Sequence, residues 1–366
     1  MLKEKNKLDL VQTIRGMTCV LIVFYHVSVN MIDIFKRDFF ANWFLFANGG
    51  VDIFFVLSGF VITYTTAKGS GNSKKILPFL QRRFVRIFPP YWIIIGLFLL
   101  AQLLLPSFYN THYVFTLNNI LPTFLLLPGH RMVNGVSWTL SYELFFYLLF
   151  SLAFLLPNKK VAFVFAMLYA LFLIVIGMLG YNFENAGPWV TLLTNPMNVD
   201  FLMGVLAAAL IPNISSRLSL PLIILGCVLF LLSAILGDNN YQLISGPFNR
   251  VLVFGMPSFL IIAGVVKFEL SKKIVVHNIF VLLGEASYST YLLHLPIIVA
   301  FMRVVARFNI HNIFVLDGFF LLMICGIFWG SILFFKCIER PVTNKLNAWH
   351  KQSTFLSPRT LSNDQK

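Results

Sequence analysis

Residues 161–180 read VAFVFAMLYALFLIVIGMLG, twenty consecutive residues without one charged side chain. At about 1.5 Å of rise per residue a helix of this length is about 30 Å long, the thickness of a bilayer's hydrocarbon core. A helix is the form that can carry such a stretch across lipid, because it satisfies every backbone N–H and C=O within itself. Two lysines, Lys159 and Lys160, stand immediately before it, as an anchor at a headgroup boundary would.

Working outward, nine more apolar blocks of spanning length appear, at 12–32, 50–66, 89–105, 137–156, 196–211, 219–237, 248–266, 285–306 and 317–338. A shorter run, Ile120–Leu127, is too brief to cross and reads as a re-entrant or interfacial piece. The whole chain agrees with its spans. Of 366 residues, 58% are hydrophobic and 11% charged, with a mean hydropathy of +0.81. A soluble domain carries about 25% charged residues, so this composition excludes a soluble globule, a disordered chain and a coiled coil. Long apolar blocks also exclude a transmembrane β-barrel, whose strands alternate over about ten residues. The predicted fold is all-α: a polytopic integral membrane protein of about ten transmembrane helices.

The net charge is +14. Ten spans put both termini on one side, and only Lys36, Arg37, Arg131, Arg250, Arg303 and Arg307 then fall on the other side among 28 basic residues. That asymmetry predicts cytoplasmic termini. It also assigns the basic excess to lipid headgroups rather than to nucleic acid. Residues 1–345 form one predicted membrane domain, and 346–366 a short polar cytoplasmic tail. Cys19, Cys227, Cys325 and Cys337 show no CxxC spacing, so neither a disulfide framework nor a metal site is expected.

Ionisable groups inside spans cost roughly 2.5–3.5 kcal/mol each on insertion scales, which makes them functional candidates. Here they are Arg15, His26, Asp52, Glu143, Asp200, Glu285 and His294. Arg15 and His26 are 11 residues apart, about 20° past three helical turns and about 16 Å along the axis. An arginine at the cytoplasmic mouth suits phosphate, and a histidine deeper on the same face suits general-base work. A donor with a charged end and a distant reactive tip, such as coenzyme A with its thioester, has that shape. Topology places His26, Asp52 and Glu143 at a similar predicted depth on three helices. Arg83 and Arg86 share a face if their segment is helical, and can serve as an anchor or as a second anion clamp. Pro89-Pro90 fits the start of the third span.

Several blocks then read together. They are Leu8-Asp9 with Arg15-Gly16 and His26, Gly50-Val51-Asp52-Ile53-Phe54-Phe55-Val56-Leu57-Ser58-Gly59-Phe60, and Arg83-x-x-Arg86 followed by Pro89-Pro90-Tyr91-Trp92. Ser137-Trp138-Thr139-Leu140-Ser141-Tyr142-Glu143-Leu144-Phe145-Phe146-Tyr147, Leu283-Gly284-Glu285 through His294, and Ile338-Glu339-Arg340-Pro341 complete the series. In this order, over residues 8–341, the set resembles the membrane-bound acyltransferase family 3, which includes exopolysaccharide and O-antigen O-acetyltransferases. The resemblance implies a multi-pass enzyme of the bacterial inner membrane. Such an enzyme moves an acyl group, usually acetyl, from cytosolic acetyl-CoA or another acyl-CoA to a glycan or lipid-linked oligosaccharide hydroxyl outside. It also implies that His26 is the family's essential histidine, Arg15 its paired arginine, Arg83 and Arg86 the RxxR pair and Glu143 the acidic residue of its block. Members with an added periplasmic hydrolase-like domain are longer, which points this chain toward the shorter exopolysaccharide-modifying branch.

Acyl transfer from a thioester to an alcohol needs a base or a carrier nucleophile, and His26 can serve as either. Asp52 or Glu143 is expected to orient its imidazole, as the third group of a triad does. Trp138, Ser141, Tyr142 and His294 are expected to line the substrate pocket. Glu339-Arg340-Pro341 is expected to stop the last span. The competing reading is a non-enzymatic transporter or flippase of lipid-linked glycans, which would show inverted repeats or matched broken helices; the sequence has neither.

Overall fold

The structure is a computed structural model that describes residues 8–40, 43–66, 71–106, 116–130, 132–181, 183–239, 247–272, 274–308, 310 and 312–355. Among them there is no strand. The helices are α1 (Asp9–Phe35), α2 (Gly50–Thr66), α3 (Ile76–Leu104), α4 (Leu117–Leu125), α5 (Trp138–Ser151), α6 (Lys159–Met178) and α7 (Pro188–Thr194). They continue as α8 (Asn198–Leu210), α9 (Ser219–Asn239), α10 (Met256–Ser271), α11 (Asn278–Glu285), α12 (Ser287–Ala306), α13 (Ile313–Phe334) and α14 (Arg340–Phe355). A π-helical turn, Val251–Gly255, leads into α10, and another, Phe335–Glu339, joins α13 to α14. Ten helical segments among the described residues are long and apolar enough to cross a membrane, one for each predicted block. The segment grown from the opening stretch, Lys159–Met178, is the most apolar and among the least covered by protein.

Lipid offers no hydrophobic drive for helix association, so close packing must supply it, and glycines permit that. At the crossing of α2 and α8 a Cβ on Gly59 would lie 1.9 Å from the Phe201 carbonyl oxygen, and one on Gly204 would lie 2.0 Å from that of Val56. Where α1 meets α11, a Cβ on Gly284 would lie 1.9 Å from the Gln12 carbonyl oxygen. These two crossings set the backbones that carry Ser58, Arg15 and His26.

Two expectations about helix ends change. The third helix does not begin at Pro89-Pro90; it begins at Ile76 and carries both prolines inside. Proline lacks an N–H, so the carbonyls of Val85 and Arg86 lose their helical donors. The turn is held from outside, for Tyr288 donates its hydroxyl to the Ile87 carbonyl at 2.8 Å. The consequence is that Arg83 and Arg86 belong to a membrane helix rather than to a loop. The last span does not stop at Glu339-Arg340-Pro341 either. Pro341 sits in the first turn of α14, directly after the π turn Phe335–Glu339, and the helix continues past it.

The run at Ile120–Leu127 forms the nine-residue α4. It is pinned by three bonds: Tyr91 Oη to the Thr123 carbonyl (2.8 Å), Trp92 Nε1 to that of Phe124 (2.9 Å) and Ser141 Oγ to that of Leu126 (2.7 Å). In α12, Pro296 frees the Leu292 carbonyl, and the buried Asn134 amide donates to it at 2.8 Å.

Candidate active site

A cavity of about 170 Å³ opens where α1, α2, α3, α5 and α12 converge. Arg15, Arg83 and Arg86 line it together with one carboxylate, Glu143. The helical register explains the arginines: Arg83 and Arg86, three apart on α3, turn to one face. Among the described residues no ion pair within 4 Å closes on any of the three guanidiniums. Arg15 Nη1 only reaches Gln12 Oε1 at 3.4 Å. The Arg83 guanidinium sits over the rings of Phe79 (5.4 Å) and Tyr147 (5.3 Å), where cation–π attraction holds it without neutralising it. Glu143 accepts from Ser58 Oγ at 3.0 Å and from the Tyr147 hydroxyl. The lining therefore carries three positive charges against one negative, in a pocket between helices of spanning length.

His26 stands beside this cavity rather than on its wall. The connection runs through α12. Cavity-lining Tyr291 lies against His294 (ring centroids 5.8 Å apart), and His294 lies against His26 (4.9 Å). The two histidines are hydrogen-bonded, with His294 Nε2 3.2 Å from His26 Nδ1. His26 Nδ1 also lies 3.0 Å from the Ile22 carbonyl oxygen, and His294 Nδ1 lies 3.1 Å from that of Thr290. His294 is fully buried.

The structure separates His26, Asp52 and Glu143, which depth alone had placed together. Asp52 is fully buried and its Oδ2 accepts from Arg250 Nη2 at 2.6 Å. Arg250 also holds Asn48, through Oδ1 and the carbonyl, both at 2.9 Å. Neither Asp52 nor Glu143 touches His26; the group that does is His294. Depth is one coordinate of a helix, and the direction each side chain takes around the axis decides its neighbours.

Trp138, Ser141 and Tyr142 are not brought to the arginine cavity. On α5 the positions facing it are Thr139, Leu140, Glu143 and Tyr147, one face of the helix. Ser141 is committed to the Leu126 carbonyl and lines a separate, mostly apolar cavity instead. Trp138 packs edge-on against Phe55 and Tyr142, while the Tyr142 hydroxyl accepts from Asn195 Nδ2 at 2.9 Å. Tyr147, Tyr288 and Tyr291, given no site role from the sequence, stand on the cavity wall, and Glu339, expected only to stop the last span, accepts from Ser289 and interacts electrostatically with Arg86 and Arg15. The one signal for them was spacing: Tyr147 follows Glu143 by four residues and Tyr291 follows Tyr288 by three.

Comparison with known proteins matches the same stretch of chain. The sequence model of the acyltransferase 3 family, described as an acyltransferase domain, matches residues 9–336. The exopolysaccharide production protein ExoZ of Rhizobium meliloti (strain 1021) is 28% identical over 262 residues, 69% of this chain and 77% of ExoZ. The O-acetyltransferase OatA of Staphylococcus aureus (strain NCTC 8325 / PS 47) is 27% identical over 320 residues, 78% of this chain and 50% of OatA, so the chain spans half of that relative's length. Nodulation protein 10 of Rhizobium leguminosarum bv. viciae is 32% identical over 122 residues, 28% of this chain and 32% of that protein. No solved structure matches. With the match covering nearly every described helix and the cavity formed by its motifs, this chain belongs to the acyltransferase 3 family and is a multi-pass membrane acyltransferase.

Proposed function

We propose that the protein is an O-acyltransferase of the bacterial inner membrane. It takes an acetyl or other short acyl group from cytosolic acyl-CoA and places it on a hydroxyl of an exported or cell-surface polysaccharide. The observation that carries this reading is the cavity in which Arg15, Arg83 and Arg86 converge, without ion-pair partners among the described residues, beside His26. Guanidiniums held in this way suit the phosphates of a nucleotide-bearing donor, bidentate and charge-assisted. The names of the relatives, an exopolysaccharide production protein and an O-acetyltransferase, favour a glycan hydroxyl as acceptor.

In the transfer the acceptor hydroxyl loses its proton to His26 as its oxygen attacks the thioester carbonyl. The C–S bond then breaks, and the departing CoA thiolate takes up a proton. The alternative role for His26 is covalent: the imidazole attacks the thioester, CoA leaves, and the acyl-imidazole passes its acyl group to the hydroxyl. In both courses the arginines hold the donor, and Glu143, hydrogen-bonded to Tyr147 and Ser58, is the carboxylate of the same cavity.

The test uses the full chain in proteoliposomes with radiolabelled acetyl-CoA and a polysaccharide acceptor. Label appearing in the glycan, and lost in His26→Ala with the protein still inserted, supports the reading. Movement of glycan across the bilayer without CoA and without label would transfer the chain to the flippase class.

A further inference from the structure

The two histidines settle a question of nitrogen identity. A carbonyl oxygen only accepts, so a ring nitrogen facing one carries its proton there. His294 Nδ1 faces the Thr290 carbonyl at 3.1 Å and therefore holds the proton of that ring, which leaves its Nε2 a bare acceptor. The bare Nε2 points at His26 Nδ1, 3.2 Å away. His26 Nδ1 also faces the Ile22 carbonyl at 3.0 Å. Two acceptors, one from its own helix and one from α12, thus converge on one nitrogen of His26 and require its proton there. Among the described residues the Nε2 of His26 has no hydrogen-bond partner, and it is not sealed in the core.

We infer that His294 is a positioning residue that holds His26 in the Nδ1–H tautomer, so that Nε2 of His26 is the nitrogen that takes the proton or the acyl group. This rests on the acyl-transfer reading of His26. It gives α12 a part in the reaction although His294 touches no reacting atom. The role is the one a carboxylate plays for a triad histidine, filled here by a neutral imidazole. A second histidine suits a membrane interior, since it accepts the hydrogen bond without adding a buried charge. His294 in turn is fixed by its bond to the Thr290 carbonyl and by its place two residues before Pro296, where Asn134 secures the broken turn. The loop before α5 is therefore tied to the imidazole's orientation.

The experiment combines nitrogen NMR of protein labelled with ¹⁵N-histidine in proteoliposomes with kinetics of three chains: wild type, His294→Leu and His294→Gln. The His26 signals are assigned by their loss in His26→Gln. Wild type is expected to show His26 protonated at Nδ1 and bare at Nε2. His294→Leu removes the acceptor and is expected to lower kcat about 10- to 100-fold with KM for acetyl-CoA unchanged, the range for loss of an orienting partner. His294→Gln offers an amide oxygen to the same Nδ1–H and is expected to recover most of that loss. A bare Nδ1 on wild-type His26, a kcat for His294→Leu within twofold of wild type, or equal losses in the Leu and Gln variants would overturn the assignment. If His294→Leu does not fold, the wild-type spectrum still decides the tautomer. The spectrum also reads the tautomer if the chain transfers no acyl group, so failure of the acyl-transfer reading and failure of this inference give different results.

Discussion

Arg250 and Asp52 form a buried ion pair, 2.6 Å between Nη2 and Oδ2, joining the entry of α10 to the first turn of α2. The arginine closes on Asn48 with the same guanidinium, so the first turn of α2 and the turn before it are clamped to a helix nearly 200 residues later. This contact gives Asp52 a partner on another helix, away from His26.

Arg250→Ala strands the Asp52 carboxylate in the protein interior. Breaking a buried pair from one side costs about 3–5 kcal/mol. Thermal unfolding in detergent is expected to show a large drop in midpoint for Arg250→Ala and a smaller one for the double variant Arg250→Ala with Asp52→Ala, which removes both charges. A single variant as stable as wild type would show the pair to be dispensable.

The three cavity arginines are expected to act on donor affinity. Loss of one charge-assisted hydrogen bond is worth about 1.5–3 kcal/mol, a factor of roughly ten or more. Arg15→Ala, Arg83→Ala and Arg86→Ala should each raise KM for acetyl-CoA by at least that factor, with a smaller effect on acceptor KM. Unchanged donor KM in all three would return these residues to membrane anchoring.

Gly59 and Gly204 lie where α2 and α8 touch backbone to backbone. Gly204→Ala places a methyl about where the Val56 carbonyl stands, and overpacking of this kind costs about 1–3 kcal/mol. Gly318→Ala, on α13 with nothing within 4 Å of the new Cβ, is the control and should be neutral. Unfolding midpoints of the two variants side by side would test the crossing; equal midpoints would refute it.

Tyr288→Phe removes the hydroxyl that caps the Ile87 carbonyl beside Pro89-Pro90. The loss expected in stability is about 1 kcal/mol, typical of one hydrogen bond. Because Arg86 sits in that turn, the variant should also weaken donor binding modestly, measurable by calorimetric titration with CoA.

The apolar spans were legible because bilayer thickness imposes a length of about 20 residues, and each of the ten blocks meets it locally. The arginine face was legible for the same reason: residues three apart on a helix are neighbours whatever surrounds them. Helix ends at proline were misread at Pro89-Pro90 and at Pro341. Proline's local preference is a stop, and tertiary partners such as Tyr288, or a π turn that carries the helix on, override it.

By itself the sequence determined the membrane class, the helix count, the family and the residues carrying charge into the spans. Only the tertiary structure decided which of those residues meet. Asp52 pairs with Arg250, 198 positions away, and His26 with His294, 268 positions away. Such contacts depend on how helices rotate and cross, and those angles are set by packing across the whole bundle, which no local pattern of residues records.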